Sequence, residues 1–341
     1  LLSGTSEHKN FNAVQRELLS HLQSDDKGSV LKAKKALRVL GGAENRLHQS
    51  VSVSEFTQLH NIIAQMLSGL TTDTVGRAGG DVEPRSKVYI KGLYDRVKSL
   101  TGAGFVIRSK GAVLGVQSKV RDDLTIGIGY ATTDTKAKEE LKSTKVKTNT
   151  GFISAQYQPN NWWISGVASY SRGEYDEEKS ILSKMGEANY NVDTIATQIT
   201  TGYQILRGNL VFNPEVGVRY LNIKQEGYTD SIGTTVGKTT SGFVTAMAGF
   251  KVGMDFGWIR PLAGVTVGYD LKTDNHSTVN TLANGTTYVV RGKALDRLST
   301  TVIGGFAADV TDDLSLRLEY AGSYRKEYID HSGMLRLEWK F

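Results

Sequence analysis

Residues 333–341 read GMLRLEWKF, a stretch in which apolar and charged side chains alternate one by one. The apolar parity holds Gly333, Leu335, Leu337, Trp339 and Phe341. The other parity holds Met334, Arg336, Glu338 and Lys340. Successive side chains of a β-strand point to opposite faces, so this stretch predicts a strand with one apolar face and one face carrying charges of both signs.

The same period of two continues upstream through most of the chain. It gives twelve segments, at 88–97, 105–119, 124–133, 145–158, 162–175, 189–206, 210–224, 240–256, 258–272, 293–310, 314–325 and 331–341. Short connections alternate with long ones, the long ones lying at 134–144, 176–188, 225–239 and 273–292. An even strand number with this alternation is typical of an antiparallel meander through an outer membrane, with short periplasmic turns and long outer loops.

These segments suit a membrane-spanning barrel better than a soluble sheet. Many exceed the common strand length of about 5 to 6 residues and reach the roughly 9 to 11 tilted residues that cross a bilayer. Trp162, Trp163, Trp258 and Trp339 lie near predicted strand ends, where aromatic girdles meet the membrane interface. Open sheet edges in hydrocarbon would leave backbone groups unpaired, so we predict an all-β, closed, twelve-stranded transmembrane barrel. A large soluble β-protein remains the alternative.

Composition excludes several other classes of protein. The 341 residues include 37 glycines, four prolines and no cysteine, which excludes a disulfide framework and thiolate chemistry. No apolar run approaches the roughly 18 to 20 residues of a membrane-spanning helix. The net charge of +6 is modest for this length and does not indicate nucleic acid as a partner. A start at Leu1 without an apolar leader indicates a fragment or a mature product.

The order of parts resembles the translocator region of type V autotransporters: a helix, a short linker, twelve strands and a terminal aromatic residue. The most recognisable stretches are GKALDR at 292–297, GGF at 304–306, the strand from 314 to 322 and the last strand. TGYQ at 201–204 and PEVGVRY at 214–220 are similar to the surface cell antigen autotransporters of rickettsia-like bacteria. The apolar parity of the last strand, ending in Phe341, resembles the C-terminal insertion signal of outer-membrane barrels.

The resemblance implies an outer-membrane translocator and anchor that exports and displays an N-terminal passenger at the cell surface. Passengers of that subgroup are typically adhesins or invasins. The implied partners are the chain's own passenger, the barrel-assembly machinery, and outer-membrane lipid with lipopolysaccharide, around a monomeric barrel in the bacterial outer membrane. A free-standing porin or adhesin barrel is the alternative, which the gene sequence upstream of Leu1 would distinguish.

Three helices are predicted before the first strand. Apolar residues recur at spacings of three and four over 11–22, 31–40 and 54–70, and Ser52 and Glu55 are spaced as a capping box before the third. We predict a helical segment at 1–42, a linker with a lumen helix at 43–85, and the barrel at 86–341. The segment at 1–42 is either the end of the passenger, a stalk, or an amphipathic hairpin without activity.

The third helix is a candidate plug. About eight strands already bring a barrel interior to the limit that side chains fill, so a twelve-stranded lumen needs further filling. Residues 54–70 span roughly 25 Å as a helix, about the height of the apolar band. The predicted lumen-helix residues are Phe56, Gln58, Leu59, His60, Asn61, Gln65 and Met66. The predicted lumen-facing charges are Lys91, Glu215, Arg219, Lys251, Asp255, Arg260, Asp270, Arg317, Glu319, Arg336 and Glu338. Alternatively, the helix docks outside and these charges line an open pore.

Catalysis is not expected. After residue 86 the histidines are His276, in a long loop, and His331, in Asp330-His331-Ser332. Neighbouring strand residues face opposite ways and cannot form a triad directly. Self-cleavage at an Asn-Asn pair in the helix is not expected, because Asn61 is followed by Ile62. We therefore expect no enzyme activity, no catalytic residues, no cofactor and no metal.

The predicted loop at 134–144, rich in lysine and acidic residues, touches lipopolysaccharide or host glycans, or is simply solvated.

Overall fold

The computed structural model describes residues 6–40, 51–54, 59, 86–99, 104–274, 277–291 and 296–341. Helices α1 (Ser6–Leu22) and α2 (Lys27–Leu40) come first, and residues 51–54 and 59 are also helical. The strands of the described part are β1 (Ser86–Ser99), β2 (Phe105–Arg121), β3 (Leu124–Lys138), β4 (Lys142–Tyr157), β5 (Trp162–Ile181), β6 (Lys184–Tyr203), β7 (Ile205–Arg207), β8 (Leu210–Gln225), β9 (Tyr228–Thr229), β10 (Thr235–Val236), β11 (Thr239–Met254), β12 (Ile259–Thr273), β13 (Ser277–Thr281), β14 (Thr287–Arg291), β15 (Leu298–Asp309), β16 (Leu314–Arg325) and β17 (Tyr328–Lys340).

Twelve of these described strands form a closed antiparallel ring. Its order is β1, β2, β3, β4, β5, β6, β8, β11, β12, β15, β16 and β17, and β17 pairs with β1. At the closure, the Ser86 amide donates to the Phe341 carbonyl at 3.1 Å and the Phe341 amide donates to the Ser86 carbonyl at 3.0 Å. The predicted fold, a twelve-stranded antiparallel barrel with an N-terminal helical segment, is confirmed.

Inner and outer faces alternate along the ring strands. In β17 the side chains of Arg336, Glu338 and Lys340 are buried inside, and those of Leu335 and Leu337 are exposed outside. Of the four tryptophans predicted for the girdle, Trp162, Trp258 and Trp339 are exposed, but the prediction is wrong for Trp163, which is 0% exposed. Trp163 follows an outward residue and must therefore face inward, where a Cβ on Gly202 would come within 2.6 Å of its ring.

Four strands extend farther than the sequence indicates. Residues 134–144 and 176–188, predicted as long loops, instead continue β3, β4, β5 and β6, and the β5–β6 hairpin turns at Leu182-Ser183. The period of two persists there, but both faces are polar or mixed, so the apolar signal that marks a crossing strand is missing. Backbone pairing does not require an apolar face, so the ladder continues where the sequence signal fades.

The remaining long loops are also structured. Residues 225–239 contain β9 and β10, and residues 273–292 contain β13 and β14, which together form a four-stranded sheet outside the ring. This sheet stands at the end of the barrel that carries the long connections, which we call the loop end. The opposite end, with the short connections and the Ser86–Phe341 closure, is the turn end.

Helices α1 and α2 pack on the loop end. Val14 of α1 and Ala33 of α2 lie in one buried cluster with Ile181 of β5 and Ile232 of the β9–β10 turn. The Tyr288 hydroxyl of β14 donates to the carbonyl of Leu40 at the end of α2, and burial raises the pKa of Tyr288.

Helix α2 begins with a capping aspartate. Asp26 accepts hydrogen bonds from the amides of Ser29 at 2.8 Å and Gly28 at 3.2 Å. These amides would otherwise have no partner at the start of a helix. Their hydrogen bonds lower the pKa of the Asp26 carboxyl.

Candidate functional site: the barrel lumen

Ser54, one of the described helical residues, contacts two aspartates of the barrel from inside the lumen. Its hydroxyl oxygen lies 3.0 Å from a carboxylate oxygen of Asp330 on β17 and 3.2 Å from one of Asp95 on β1. Both aspartates are buried on the inner face, at most 3% exposed. A buried carboxylate needs hydrogen-bond donors, and Ser54 supplies one between two adjacent strands.

Apolar contacts place two further helical residues in the lumen. Val51, fully buried, belongs to a cluster with Val97 and Tyr328 toward the loop end. Leu59 belongs to a second cluster, with inner-face residues of β1, β2, β3, β4, β5, β15, β16 and β17, among them Tyr89 and Met334. The described helical residues therefore enter at the loop end and reach the middle of the barrel. The other predicted lumen-helix residues, Phe56, Gln58, His60, Asn61, Gln65 and Met66, lie outside the described residues.

A row of cations crosses the inner wall toward the turn end. Lys91, Arg336 and Arg317 stand directly opposite one another on β1, β17 and β16, and Arg260 follows on β12, beyond Ala307 of β15. All four side chains are buried. Like charges in register repel, so this arrangement requires interleaved acids.

Two glutamates supply that negative charge. Glu319 lies 2.8 Å from the Lys91 ammonium and 3.6 Å from the Arg317 guanidinium. Glu338 lies 3.3 Å from Arg336 and 3.5 Å from Lys87. Each glutamate is displaced by two residues along its strand from an arginine, which keeps both on the inner face.

The other predicted lumen charges lie in a second sector. Lys251 pairs with Glu215 at 2.8 Å, Arg219 donates to Gln198 at 2.9 Å, and Asp270 pairs with Arg325 at 2.5 Å. Arg219, Lys251 and Asp270 are buried on β8, β11 and β12, and the side chain of Glu215 on β8 is 8% exposed. Asp255 instead lies in the β11–β12 turn, half-buried, where its carboxylate accepts from the Gly257 amide at 2.7 Å.

Sequence reasoning missed the polar layer near the loop end. Lys179 pairs with Asp230 at 2.5 Å, and Tyr190 stacks between Tyr175 and Tyr228 with ring centroids 5.2 and 4.2 Å apart. Asp95 and Asp330, the partners of Ser54, were also missed. Both have the inner parity of their strands, so the alternation could have identified them.

The outer face of β17 carries the predicted insertion signal. Leu335, Leu337, Trp339 and Phe341 are exposed on this face, between 42% and 66% of each side chain, and Gly333 shares it. On the same face, His331 Nδ1 lies 2.6 Å from the Tyr320 hydroxyl, while its neighbours Asp330 and Ser332 are buried inside.

Among the residues that the structure describes, no group of three or more histidine, aspartate or glutamate side chains is placed to hold a metal ion. No helix of the described part combines the length and apolar character needed to span a membrane.

A family model described as the autotransporter beta-domain matches residues 88–321, well over half of the chain. The chain belongs to the autotransporter β-domain family. This family is a transport and anchor domain, and the barrel is the outer-membrane translocator of a passenger. The turn end of an autotransporter barrel faces the periplasm and its loop end faces outward.

Solved autotransporter barrels share the fold. The translocator domain of the autotransporter NalP from Neisseria meningitidis is similar with a TM-score of 0.67 and 16% identity, over 85% of this chain and 99% of that one. The beta domain of the Bordetella autotransporter Brka is similar with a TM-score of 0.58 and 12% identity, over 75% of this chain and 100% of that one.

Curated relatives agree with the predicted rickettsial resemblance. Outer membrane protein B of Rickettsia rickettsii is 29% identical over 151 residues, covering 39% of this chain and 9% of that protein. Outer membrane protein B of Rickettsia prowazekii is 27% identical over 196 residues, covering 52% of this chain and 12% of that protein. The match thus covers only about a tenth of these relatives' length.

Proposed function

We propose that this chain anchors a passenger through a tether that stays in its lumen. The supporting observation is the position of Ser54 between Asp95 and Asp330, inside the barrel and toward the outer end. The first barrel strand starts at Ser86, at the periplasmic end. A chain that connects these two points crosses the membrane inside the barrel, because the outer wall faces lipid.

In this proposal the chain has three parts. Residues 1–42 are the outer end of the tether, where α1 and α2 rest on the loop end. Residues 43–85 form the linker and lumen helix, and residues 86–341 form the barrel. The inward charges of the turn end and the lumen helix together limit leakage of ions through the pore.

The passenger and the assembly partners also belong to the proposal. The curated relatives are outer membrane proteins, with most of their length beyond the match, which supports a surface-displayed passenger. We propose that this passenger acts as an adhesin or invasin. The exposed aromatic end of β17 supports recognition by the barrel-assembly machinery, and the closed ring, in which β17 pairs with β1, supports a monomeric barrel.

Surface display can be tested with two epitope insertions. A tag before Ser6 should be accessible to antibody on intact cells, because α1 lies at the outer end. The same tag between Asp122 and Asp123, in a periplasmic turn, should become accessible only after the outer membrane is opened. Equal accessibility of both tags on intact cells would refute the proposed orientation.

The plug can be tested by conductance. Deletion of residues 1–70 should raise the single-channel conductance of the purified barrel in a planar bilayer, since the lumen loses its helix. A matched deletion of residues 1–40 should leave the conductance nearly unchanged. If the longer deletion also left it unchanged, the helix would not fill the pore.

A further inference from the structure

The outer wall carries an in-register row of cations near the loop end. Arg96 of β1 stands directly opposite Arg108 of β2, which stands opposite Lys136 of β3, which stands opposite Lys145 of β4. All four side chains are exposed on the outer face. We call Arg96, Arg108 and Lys136 the basic row.

On the outer face, the acid beside the basic row is Asp134 of β3, two residues from Lys136 and opposite Lys110 of β2. Lys145 lies 3.6 Å from Glu178 of β5, but within the described residues Arg96, Arg108 and Lys136 form no ion pair. Directly opposed like charges destabilise a sheet. We therefore expect the basic row to attract anions.

The height of the basic row matches the outer membrane interface. Arg96 lies ten residues along β1 from Ser86 at the periplasmic end. At roughly 3.3 Å per residue and a tilt of about 40°, this puts Arg96 about 25 Å above that end, the height of the apolar band. The row thus meets the outer leaflet where phosphate groups lie, not the aqueous space of the loops.

An apolar groove lies directly below the basic row. It has a volume of about 630 Å³ and is lined by Tyr94, Ala112, Leu318 and Leu335, with Thr132 and the opposed pair Lys110 and Asp134 also in its lining. The groove exists because two outward positions, Gly92 and Gly333, have no side chain, and a Cβ at either would meet no atom within 4 Å. Its surroundings suit an acyl chain.

We propose that the basic row and the groove bind one bis-phosphorylated glycolipid of the outer leaflet, of the lipid A type. Two strand spacings of about 4.8 Å separate Arg96 from Lys136, so three cations span roughly 10 Å. A lipid with two phosphates matches this span, whereas a single phosphodiester neutralises only one charge. Guanidinium groups bind phosphate with paired, charge-assisted hydrogen bonds, and one acyl chain fills the groove. The proposal depends on the outer-membrane location and is independent of passenger export.

The binding test uses the full chain, purified in detergent and stripped of lipid. Native mass spectrometry with bis-phosphorylated lipid A, monophosphoryl lipid A and phosphatidylglycerol should show preference in that order. The triple variant Arg96→Gln, Arg108→Gln, Lys136→Gln should lose on the order of tenfold in affinity for bis-phosphorylated lipid A. The control Lys224→Gln, Lys238→Gln, Lys272→Gln removes the same charge from the opposite side of the barrel and should bind like the parent.

The groove provides a second, independent test. Gly333→Leu, whose Cβ would meet no atom within 4 Å, should fill the groove and weaken lipid A binding, while Gly304→Leu, at a position on β15 where a Cβ is equally free, should not. Heparin hexasaccharide tests the alternative of a soluble glycan. The proposal is overturned if the two triple variants bind lipid A equally, if Gly333→Leu binds like Gly304→Leu, or if heparin binds as tightly as lipid A.

Discussion

Arg317 and Arg336 face each other directly across β16 and β17, inside a barrel where both side chains are at most 4% exposed. Glu319 lies 3.6 Å from the Arg317 guanidinium, and Glu338 lies 3.3 Å from that of Arg336. Each glutamate is two residues along the strand from its arginine. In this part of the inner wall, acidic and basic side chains therefore alternate, and each of the two glutamates contacts more than one cation.

Removal of one of these acids should destabilise the barrel strongly. Glu319→Gln leaves Lys91 and Arg317 buried without their carboxylate, and the loss of one partner of a buried ion pair costs about 3 to 5 kcal/mol. In gels of unboiled samples, the band of folded protein should therefore disappear at a lower urea concentration than for the parent. The exposed pair of Glu178 and Lys145 supplies the control, since Glu178→Gln should cost less than about 1 kcal/mol. Equal midpoints for the two variants would contradict this account.

The closure between β1 and β17 can be trapped by a disulfide, because the native chain has no cysteine. Ser86 and Phe341 exchange both hydrogen bonds, so by alternation Leu93 and Met334 form a closer, non-hydrogen-bonded pair. Leu93→Cys with Met334→Cys should cross-link readily on oxidation. The disulfide should keep the boiled protein from unfolding fully, which a gel without reductant detects as a shift in migration. Leu93→Cys with Ser332→Cys should cross-link poorly, and a reversal of this preference would disprove the register.

The docking of α1 on the loop end depends on buried Val14. Val14→Asp places a charge in a cluster with Ala33 and Ile232, so the helical pair should detach while the barrel stays folded. Limited trypsin digestion should then cut at Lys32 at least about tenfold faster. Leu19→Asp, on the exposed side of the same helix, should digest like the parent. Slow digestion of both would show that Val14 does not hold the helix.

The cap of α2 predicts a pH dependence at low pH. The pKa of Asp26 is lowered in the folded state, so its contribution is complete above the ordinary aspartate value and is lost as the pH falls through the lowered pKa. Hydrogen exchange of the Ser29 and Val30 amides, corrected for intrinsic rates, should accelerate in that acidic range. Asp26→Ala should show the fast rates already at neutral pH, whereas Asp25→Ala should not. A pH-independent rate in the parent would contradict the role of the cap.

The ring could be predicted from the sequence because each strand that crosses the membrane has to present apolar side chains to lipid on its outer face. That requirement imposes the alternation seen in β17, and the same parity rule extends to buried charges such as Arg317 and Glu319. It also explains the failure at Trp163: an aromatic residue at a strand end was assigned to the girdle, although its neighbour Trp162 already held the outward position.

Features outside the bilayer could not be predicted in the same way. The extensions of β5 and β6 pair through backbone groups, which are the same for any sequence, and the sheet of β9, β10, β13 and β14 joins loops far apart in the chain. The contact of Ser54 with Asp95 and Asp330 depends on the depth of a helix within the lumen, which periodicity does not determine.

The bond between Ser86 and Phe341 joins residues at the two ends of the barrel domain. No order of synthesis can complete the ring before the ribosome has delivered its final strand. Until then β1 has an unpaired edge, and such an edge is prone to aggregation. The cell must therefore keep the whole unfolded polypeptide soluble during its transit, and a truncation that removes only the last strand should be as harmful as a much larger one.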